Sequence, residues 1–281
     1  MAMSPRIVEV RANILKKNDL LARELRDRFH AAGVLVVSLV SSPGAGKTML
    51  LERTLAKMSP HTRLAALVGD LQTDNDARRL ASTGVPVRQI TTGTVCHLDA
   101  EMIGGALDDW AREGRPIEAL DVLFIENVGN LVCPASYDLG EALRVVLLSV
   151  TEGEDKPLKY PTIFNSADLA VITKIDLADA VGFERDAVYA AIDRVRPGLE
   201  VLEVSARTDT GLDSWIARLH ATNVRSVRLR PDLSTHAMCA IALAVAYRLT
   251  RRARQITPVA RIADRAADVL PSRRRARATR A

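Results

Sequence analysis

A lysine and a threonine, Lys47 and Thr48, directly follow a glycine-containing turn, Ser41–Gly46, which itself follows the apolar run Val34–Val40. This is the order strand, phosphate-binding loop and helix that is typical of nucleotide-binding P-loops. The two glycines of the turn let successive backbone N–H groups converge on a polyphosphate, and the helix N-terminus adds partial positive charge. The lysine then reaches the β- and γ-phosphates, and the threonine hydroxyl is a ligand for Mg²⁺.

The turn therefore predicts a nucleotide phosphate site, although Ser41 stands where the pattern has its first glycine. A glycine turn before a buried helix would explain the glycines but not the lysine and threonine that follow them. The predicted nucleotide contacts of this loop are Pro43, Gly44, Ala45, Gly46, Lys47, Thr48 and Met49.

A second pattern, Thr173–Asp176 (TKID), follows another apolar run and has the chemistry to recognise guanine. The carboxylate at its end accepts two hydrogen bonds from the guanine N1–H and 2-amino group, and such a site discriminates strongly because the wrong base leaves buried groups unpaired. The alkyl stem of Lys174 covers the base, and a backbone N–H of Ser205 or Ala206 meets the guanine O6. The two segments look like the Asn-Lys-x-Asp and Ser-Ala-Lys motifs of GTPases, with threonine replacing asparagine and Arg207 where lysine is common.

Two carboxylates at the ends of apolar runs are candidates for the Mg²⁺ site. Asp70 begins the segment DLQTDNDARR, and Glu126 lies in FIENVGN, where GTPases usually carry Asp-x-x-Gly. Mg²⁺ prefers oxygen ligands and keeps several waters, so one or two carboxylates suffice beside the threonine hydroxyl. Gly129 lets a backbone N–H approach the γ-phosphate, whereas Asp74 and Asp76 are equally well explained as solvated residues at a helix start. The predicted catalytic residues are Lys47, Thr48, Asp70 and Glu126, and the last three of these are the predicted Mg²⁺ ligands.

Two cysteines and a histidine form a third candidate site. Cys96 and His97 are adjacent in TTGTVCHLD, and Cys133 lies in NLVCPA, shortly after Glu126. Two thiolates and an imidazole suit Ni²⁺ or Zn²⁺ rather than Mg²⁺. An adjacent pair cannot easily close a tetrahedral site alone, so Cys133 or the residues of a second subunit would complete it. Buried structural thiols remain the alternative interpretation. If the loop from Glu126 to Cys133 senses the γ-phosphate, hydrolysis alters the metal site.

Strands alternate with helices along the chain, and most predicted strands are continuous apolar runs, which is typical of a parallel sheet covered on both faces. The fold class predicted is therefore α/β, a P-loop NTPase with a mostly parallel sheet and helices on both faces. The predicted strands are Val34–Val40, Leu64–Val68, Val85–Ile90, Val122–Ile125, Leu143–Val150, Leu169–Thr173 and Glu200–Val204. The predicted helices are Lys16–Ala32 (with Asn18 as N-cap), Thr48–Met58, Asp74–Ser82, Asp99–Arg112, Phe183–Arg194 and Gly211–Leu219. All the candidate residues fall at the carboxyl ends of strands, where such sheets bind ligands.

We divide the chain of 281 residues into an N-terminal helical segment (1–33), a P-loop GTPase domain with the metal site (34–221) and an arginine-rich extension (222–281). The extension holds fourteen arginines, no lysine and three aspartates, so its net charge is 14 − 3 = +11. Because the whole chain carries +5, the first 221 residues carry 5 − 11 = −6. We expect no nucleic-acid binding by this acidic body. In the extension, His236–Leu249 is predicted as a short helix with Cys239 as a packing residue; membrane contact of the arginines stays open.

Three cysteines are too few for a disulfide framework and suit a reducing compartment. The sequence has no secretory apolar stretch near its start and no apolar run of membrane-spanning length. We therefore expect a cytoplasmic protein.

Six segments together resemble the hydrogenase nickel-incorporation GTPases (HypB family). They are SSPGAGKT, GDLQTDNDARR, TGTVCHLD, FIENVGNLVCPASYDLGE, ITKIDL and VSARTDTGLDSW, spread over residues 37–216. The resemblance implies a GTPase that binds GTP or GDP, dimerises with its nucleotides near the interface and delivers Ni²⁺ to the [NiFe] hydrogenase large subunit with a small partner metallochaperone. At the matching positions it implies that Lys47 and Thr48 hold phosphates and Mg²⁺, and that Cys96, His97 and Cys133 bind the metal.

The sequence departs from that family at Thr173 and lacks the Cys-rich or His-rich start of many members, so we expect neither high-affinity N-terminal nickel binding nor nickel storage. We also expect slow intrinsic hydrolysis, because the matching loops carry no obvious water-orienting glutamine or arginine finger. Three alternatives remain. A nickel GTPase serving urease is disfavoured by the motif ENVGNLVCP, a non-enzymatic metal-binding protein by Lys47 and Asp176, and a P-loop kinase of a small acceptor by TKID.

Overall fold

The computed structural model of the chain describes residues 5–227 and contains a seven-stranded sheet. Its strands are β1 (Leu35–Ser41), β2 (Leu64–Asp70), β3 (Val87–Thr91), β4 (Val122–Glu126), β5 (Leu143–Ser149), β6 (Leu169–Thr173) and β7 (Val201–Val204). The spatial order is β3-β2-β4-β1-β5-β6-β7, and all six neighbouring pairs are parallel. The predicted α/β class and the parallel sheet are confirmed.

Side chains of a strand alternate between the two faces of the sheet. Because the strands carry apolar side chains on both faces, helices cover both. On β1, Leu35, Val37 and Leu39 pack in one apolar cluster, while Val36 packs in a second cluster on the other face. The helices are α1 (Pro5–Ala32), α2 (Lys47–Met58), α3 (Asn75–Ala81), α4 (Ala100–Arg112), α5 (Lys156–Lys159), α6 (Pro161–Ser166), α7 (Ala178–Val181), α8 (Arg185–Val195) and α9 (Leu212–Val227). The first cluster includes α2 and α9, and the second includes α1 and α4.

The first helix differs most from the sequence prediction. It begins at Pro5 rather than Lys16, so Asn18 is not an N-cap but lies inside the helix, where it is buried. A polar residue before an apolar periodic run indicates a helix start only when nothing else satisfies its side chain. Here the Asn18 amide bonds to the backbone of Ala100 and of Asp138, which are distant in sequence.

Other boundaries differ by one to a few residues, and the short helices α5, α6 and α7 were not predicted. The last described helix, α9, continues to Val227, beyond the predicted end at Leu219. Within residues 5–227, no helix combines the length and apolarity needed to cross a membrane. The predicted helix His236–Leu249, Cys239 and most of the arginine-rich extension lie outside the described residues.

Candidate functional site

The loop between β1 and α2 has the backbone that the glycine pattern predicts. Gly44 and Gly46 have positive φ angles of 73° and 94°, which residues with a side chain rarely adopt. Lys47 is buried, and its ammonium donates a hydrogen bond to the hydroxyl of Ser41 at 2.9 Å. Burial lowers the pKa of Lys47, although the nearby Glu126 carboxylate partly opposes this shift. An anionic phosphate would supply the counter-charge that this buried ammonium favours.

Glu126, the last residue of β4, lies beside the start of α2. Its Oε1 accepts a hydrogen bond of 2.7 Å from the Thr48 hydroxyl. Its Oε2 is buried and meets no hydrogen-bond partner among residues 5–227. Burial raises the pKa of Glu126 to about 7, against the opposing effects of Lys47 and Thr48. A buried carboxylate oxygen without a partner, next to a threonine hydroxyl, is a donor set that fits Mg²⁺.

Asp70 ends β2 at the same edge of the sheet, where it is half-buried and accepts a hydrogen bond of 2.6 Å from the Thr73 hydroxyl. Asp74 precedes α3 and pairs with Arg78, and Asp76 lies in the first turn of that helix. Asp76 is close enough to raise the pKa of Glu126. The roles of Asp70 and Glu126 as Mg²⁺ ligands stay predictions.

The predicted base-recognition segment is hydrogen-bonded to the phosphate loop. The hydroxyl of Thr173 donates to the carbonyl of Ala45 at 2.6 Å, and the ammonium of Lys174 donates to the carbonyl of Gly44 at 2.7 Å. Lys174 adopts a left-handed backbone with φ 58°, which turns the chain sharply after β6. Thr173 thus connects the two loops, although GTPases usually have asparagine at this position. The Thr173 substitution therefore leaves the two loops joined.

Asp176 and the segment after β7 are also in contact. The hydroxyl of Ser205 donates to Oδ1 of Asp176 at 2.6 Å. Arg53 of α2 donates to the carbonyl of Ala206 at 3.2 Å. The residues predicted to recognise guanine therefore lie together, and α2 links them to the phosphate loop. Their contacts with a base stay a prediction.

Cys96, His97 and Cys133 come together within one chain. One ligand atom from each lies within 4.8 Å of the others, and all three residues are half-buried. The two sulfur atoms are 3.0 Å apart, which is longer than a disulfide bond of about 2.05 Å. The Nδ1 atom of His97 is buried without a hydrogen-bond partner in the described part of the chain, and burial lowers the pKa of its imidazole. A neutral imidazole beside two thiols is a suitable ligand set for a borderline metal ion.

Tyr137 is a residue of this site that the sequence did not indicate. Its ring lies 3.9 Å from that of His97, centroid to centroid, with the planes tilted by 31°. Arg144, held by the buried Glu141, donates to the Tyr137 carbonyl at 2.9 Å. These contacts fix the segment after Cys133 against the sheet. A single tyrosine in a loop carries no pattern that would have identified it.

Comparison with known proteins agrees with this geometry. A family model of the CobW/HypB/UreG nucleotide-binding domain matches residues 35–203. The hydrogenase maturation factor HypB of Azotobacter chroococcum is 49% identical over 229 residues, which cover 81% of this chain and 73% of that protein. The chain belongs to the HypB family. HypB of Escherichia coli K12 is 47% identical over 75% of this chain and 71% of its own length.

Two solved HypB structures share the fold. The structure of HypB from Helicobacter pylori in complex with nickel has a TM-score of 0.71 and 42% identity and covers 78% of this chain and 99% of that one. HypB from Archaeoglobus fulgidus has a TM-score of 0.68 and 38% identity, over 74% of this chain and 99% of its own. The resemblance inferred from the six sequence segments is therefore confirmed, and so is the P-loop NTPase fold.

Proposed function

We propose that this HypB-family chain is a GTP-hydrolysing metallochaperone that binds Ni²⁺ and inserts it into [NiFe] hydrogenase during maturation. One observation supports it above the others. The segment that follows Glu126, beside Thr48, is the same segment that carries Cys133 to within 3.0 Å of Cys96. A single loop of seven residues therefore touches both the predicted phosphate site and the predicted metal site.

GTP hydrolysis would be promoted by charge stabilisation at the phosphate loop. The loop amides and the buried Lys47 ammonium would bind the β- and γ-phosphates and stabilise the charge that develops on them. Thr48, Glu126 and Asp70 would hold Mg²⁺, which supplies further charge neutralisation when bound. Since nothing in these loops is an obvious group to orient the attacking water, we expect slow turnover without a partner. A fast basal rate in the purified protein would contradict this.

Guanine selectivity would come from Asp176, with Lys174 over the base and Ser205 and Ala206 near its O6. Support comes from the hydrogen bonds that already hold these residues together without a base. Such a preformed site discriminates well because adenine would leave the carboxylate unpaired.

Ni²⁺ would be the cargo of Cys96, His97 and Cys133. The nickel-bound Helicobacter pylori HypB supports this choice, and Zn²⁺ suits the same ligands. In keeping with the family resemblance, we propose a nucleotide-dependent homodimer that acts in the cytoplasm with a small metallochaperone and the hydrogenase large subunit. Relatives in Helicobacter are named hydrogenase/urease maturation factors, so nickel delivery to urease is the second candidate.

The decisive experiment is Ni²⁺ transfer. The purified chain is loaded with Ni²⁺ and mixed with metal-free hydrogenase large subunit and its small metallochaperone, with GTP, GDP or a non-hydrolysable GTP analogue. We expect transfer that depends on GTP hydrolysis. The same assay with metal-free urease separates the second candidate. Equal transfer with all three nucleotides, or none at all, would refute the proposal.

A further inference from the structure

Two asparagine side chains connect the loop after β4 to the backbone on either side of His97. Asn127 is 2% exposed, and its Oδ1 accepts a hydrogen bond from the Leu98 N–H at 3.0 Å. Asn130 donates from Nδ2 to the carbonyl of Cys96 at 3.3 Å. The loop therefore binds the backbone carbonyl of the residue before His97 and the backbone N–H of the residue after it.

The same asparagines are also fixed within their own loop. Oδ1 of Asn127 accepts a second hydrogen bond, from the Val128 N–H at 2.9 Å. Oδ1 of Asn130 accepts one from the Val132 N–H at 2.8 Å. Each amide therefore ties the local loop conformation to the position of the Cys96–His97 backbone. A change in the loop conformation cannot leave that backbone unchanged unless these hydrogen bonds break.

The middle of this loop packs against the phosphate loop. A Cβ atom placed on Gly129 would lie 2.8 Å from the Cα of Pro43, so only glycine fits this contact. Gly129 lies between the two asparagines in sequence, and Glu126, which binds Thr48, directly precedes the first. The loop is thus in contact with the predicted phosphate site at Gly129, and the strand residue directly before the loop, Glu126, is in contact with it as well.

From these contacts we infer that Asn127 and Asn130 are positioning residues that transmit the nucleotide state to Cys96 and His97. The inference rests on the function proposed above. Cys133 moves with the loop because it belongs to it, whereas Cys96 and His97 belong to a different segment and need a connection. The two amides supply it, so all three metal ligands respond together when the loop shifts.

Asn18 offers a matched comparison. This asparagine, buried like Asn127, accepts a hydrogen bond from the Ala100 N–H and donates one to the Asp138 carbonyl, both at 2.9 Å. It therefore also braces the two segments that carry the metal ligands. Its side chain comes from α1, however, and neither of these hydrogen bonds involves the phosphate loop or the residues between Glu126 and Cys133. Its loss should weaken the metal site in every nucleotide state alike.

The test measures the Ni²⁺ dissociation constant by calorimetry with the full chain, at saturating GDP and at a saturating non-hydrolysable GTP analogue. Wild type, Asn127→Ala, Asn130→Ala and Asn18→Ala are compared. We expect a wild-type ratio of the two constants of about 5- to 150-fold, the usual range for coupled sites. In Asn127→Ala and Asn130→Ala the ratio falls to one, while Asn18→Ala weakens both constants by a common factor and retains the ratio.

A residue with only a structural role would change both constants and leave their ratio intact. If both loop variants keep the wild-type ratio, or if Asn18→Ala abolishes it as well, the inference is wrong. Asn127→Ala removes the acceptor of two buried N–H groups and could prevent folding. In that case the comparison of Asn130→Ala with the wild type tests the inference, because Asn130 is only half-buried. A wild-type ratio of one would overturn the nucleotide-coupled function itself, which is a different failure.

Discussion

The candidate site has a base end, formed by the residues predicted to recognise guanine, and a metal end, formed by the two cysteines and the histidine. The two ends differ in how completely their side chains are hydrogen-bonded. At the base end, Thr173, Lys174 and Asp176 each have a partner, at 2.6, 2.7 and 2.6 Å respectively. At the metal end, the buried Nδ1 of His97 has no partner in the described range, and Cys96 meets another sulfur. A buried polar atom without a partner costs free energy, so we expect a ligand to stabilise the metal end more than the base end.

From this difference we expect the two ends to have distinct roles. Side chains that are already fixed lose little entropy on binding and therefore favour selective recognition of one base. Side chains that gain partners only from a ligand let binding shift a conformational equilibrium, because only differential interaction with two states can do so. We therefore expect substitutions at the base end to change which nucleotide binds, and substitutions at the metal end to change the response to it.

The largest effect is expected from Asp176→Asn. The amide no longer accepts both guanine hydrogen bonds, so GTP affinity should fall by a factor on the order of 10⁴. Xanthosine triphosphate should bind the variant better than GTP, since its carbonyl at C2 accepts from the new amide. Fluorescence titration of both nucleotides measures this. Asp179→Asn, at an exposed position nearby, is the control, and unchanged GTP binding by Asp176→Asn would place the base elsewhere.

Cys133→Ala should act on the other end alone. We expect Ni²⁺ affinity to fall by at least about 100-fold, the upper range for outer-shell partners of a metal. GTP binding should stay as in the wild type, because the sulfur belongs to the predicted metal site, where it lies 3.0 Å from that of Cys96. Calorimetry with Ni²⁺ measures the loss, and Val132→Ala, at a position 61% exposed, is the neighbouring control. Retained Ni²⁺ binding would mean that Cys133 is a structural thiol.

Thr173→Val tests the connection between base end and phosphate loop. Its hydroxyl is the donor to Ala45, and losing that bond leaves a buried carbonyl unpaired, at a cost of about 1–3 kcal/mol. The free energy of unfolding should decrease by that amount in urea titration, and GTP affinity should weaken as well. Thr173→Ser keeps the hydroxyl and should retain both properties. Equal stability of the valine variant and the wild type would show that the bond contributes nothing.

The smallest effect is expected from loss of the ion pair between Arg26 and Asp138, in the segment that follows Cys133. Burial disfavours the charged form of Asp138, but the hydrogen bonds from Arg26 and the Gly140 N–H outweigh it and lower its pKa. Arg26→Ala should therefore cost less than about 1 kcal/mol, since the pair is partly exposed. The difference between variant and wild type should be present above pH 4 or so, the unfolded pKa of aspartate, and disappear as the pH falls through the lowered pKa.

Urea denaturation of both proteins across this pH range measures that dependence. A difference that instead grows towards low pH would mean that Asp138 is not stabilised by Arg26. Arg28→Ala is a matched control, because Arg28 of α1 pairs with Asp108 of α4 rather than with the loop.

The sequence alone determined the fold class, and it predicts the phosphate loop and the base-recognition segment, because each depends on residues that are close together along the chain. The run before Gly44 is a strand, Lys47 and Thr48 open the helix after the glycine loop, and the segment Thr173–Asp176 starts at the last residue of β6. Local backbone geometry then dictates which chemistry is available at the strand end. A parallel order could likewise be inferred, since alternating strands and helices permit little else.

Only the tertiary structure decided how Cys96, His97 and Cys133 meet within one chain and what supports them. The buried asparagines show the limit most clearly: Asn18 satisfied a local pattern for a helix start, yet its amide bonds to Ala100 and Asp138. Such hydrogen bonds join residues separated by 82 and 120 positions, so no local pattern encodes them. They arise because α1 packs beside α4 and the segment that follows β4, where each buried polar group must find a partner.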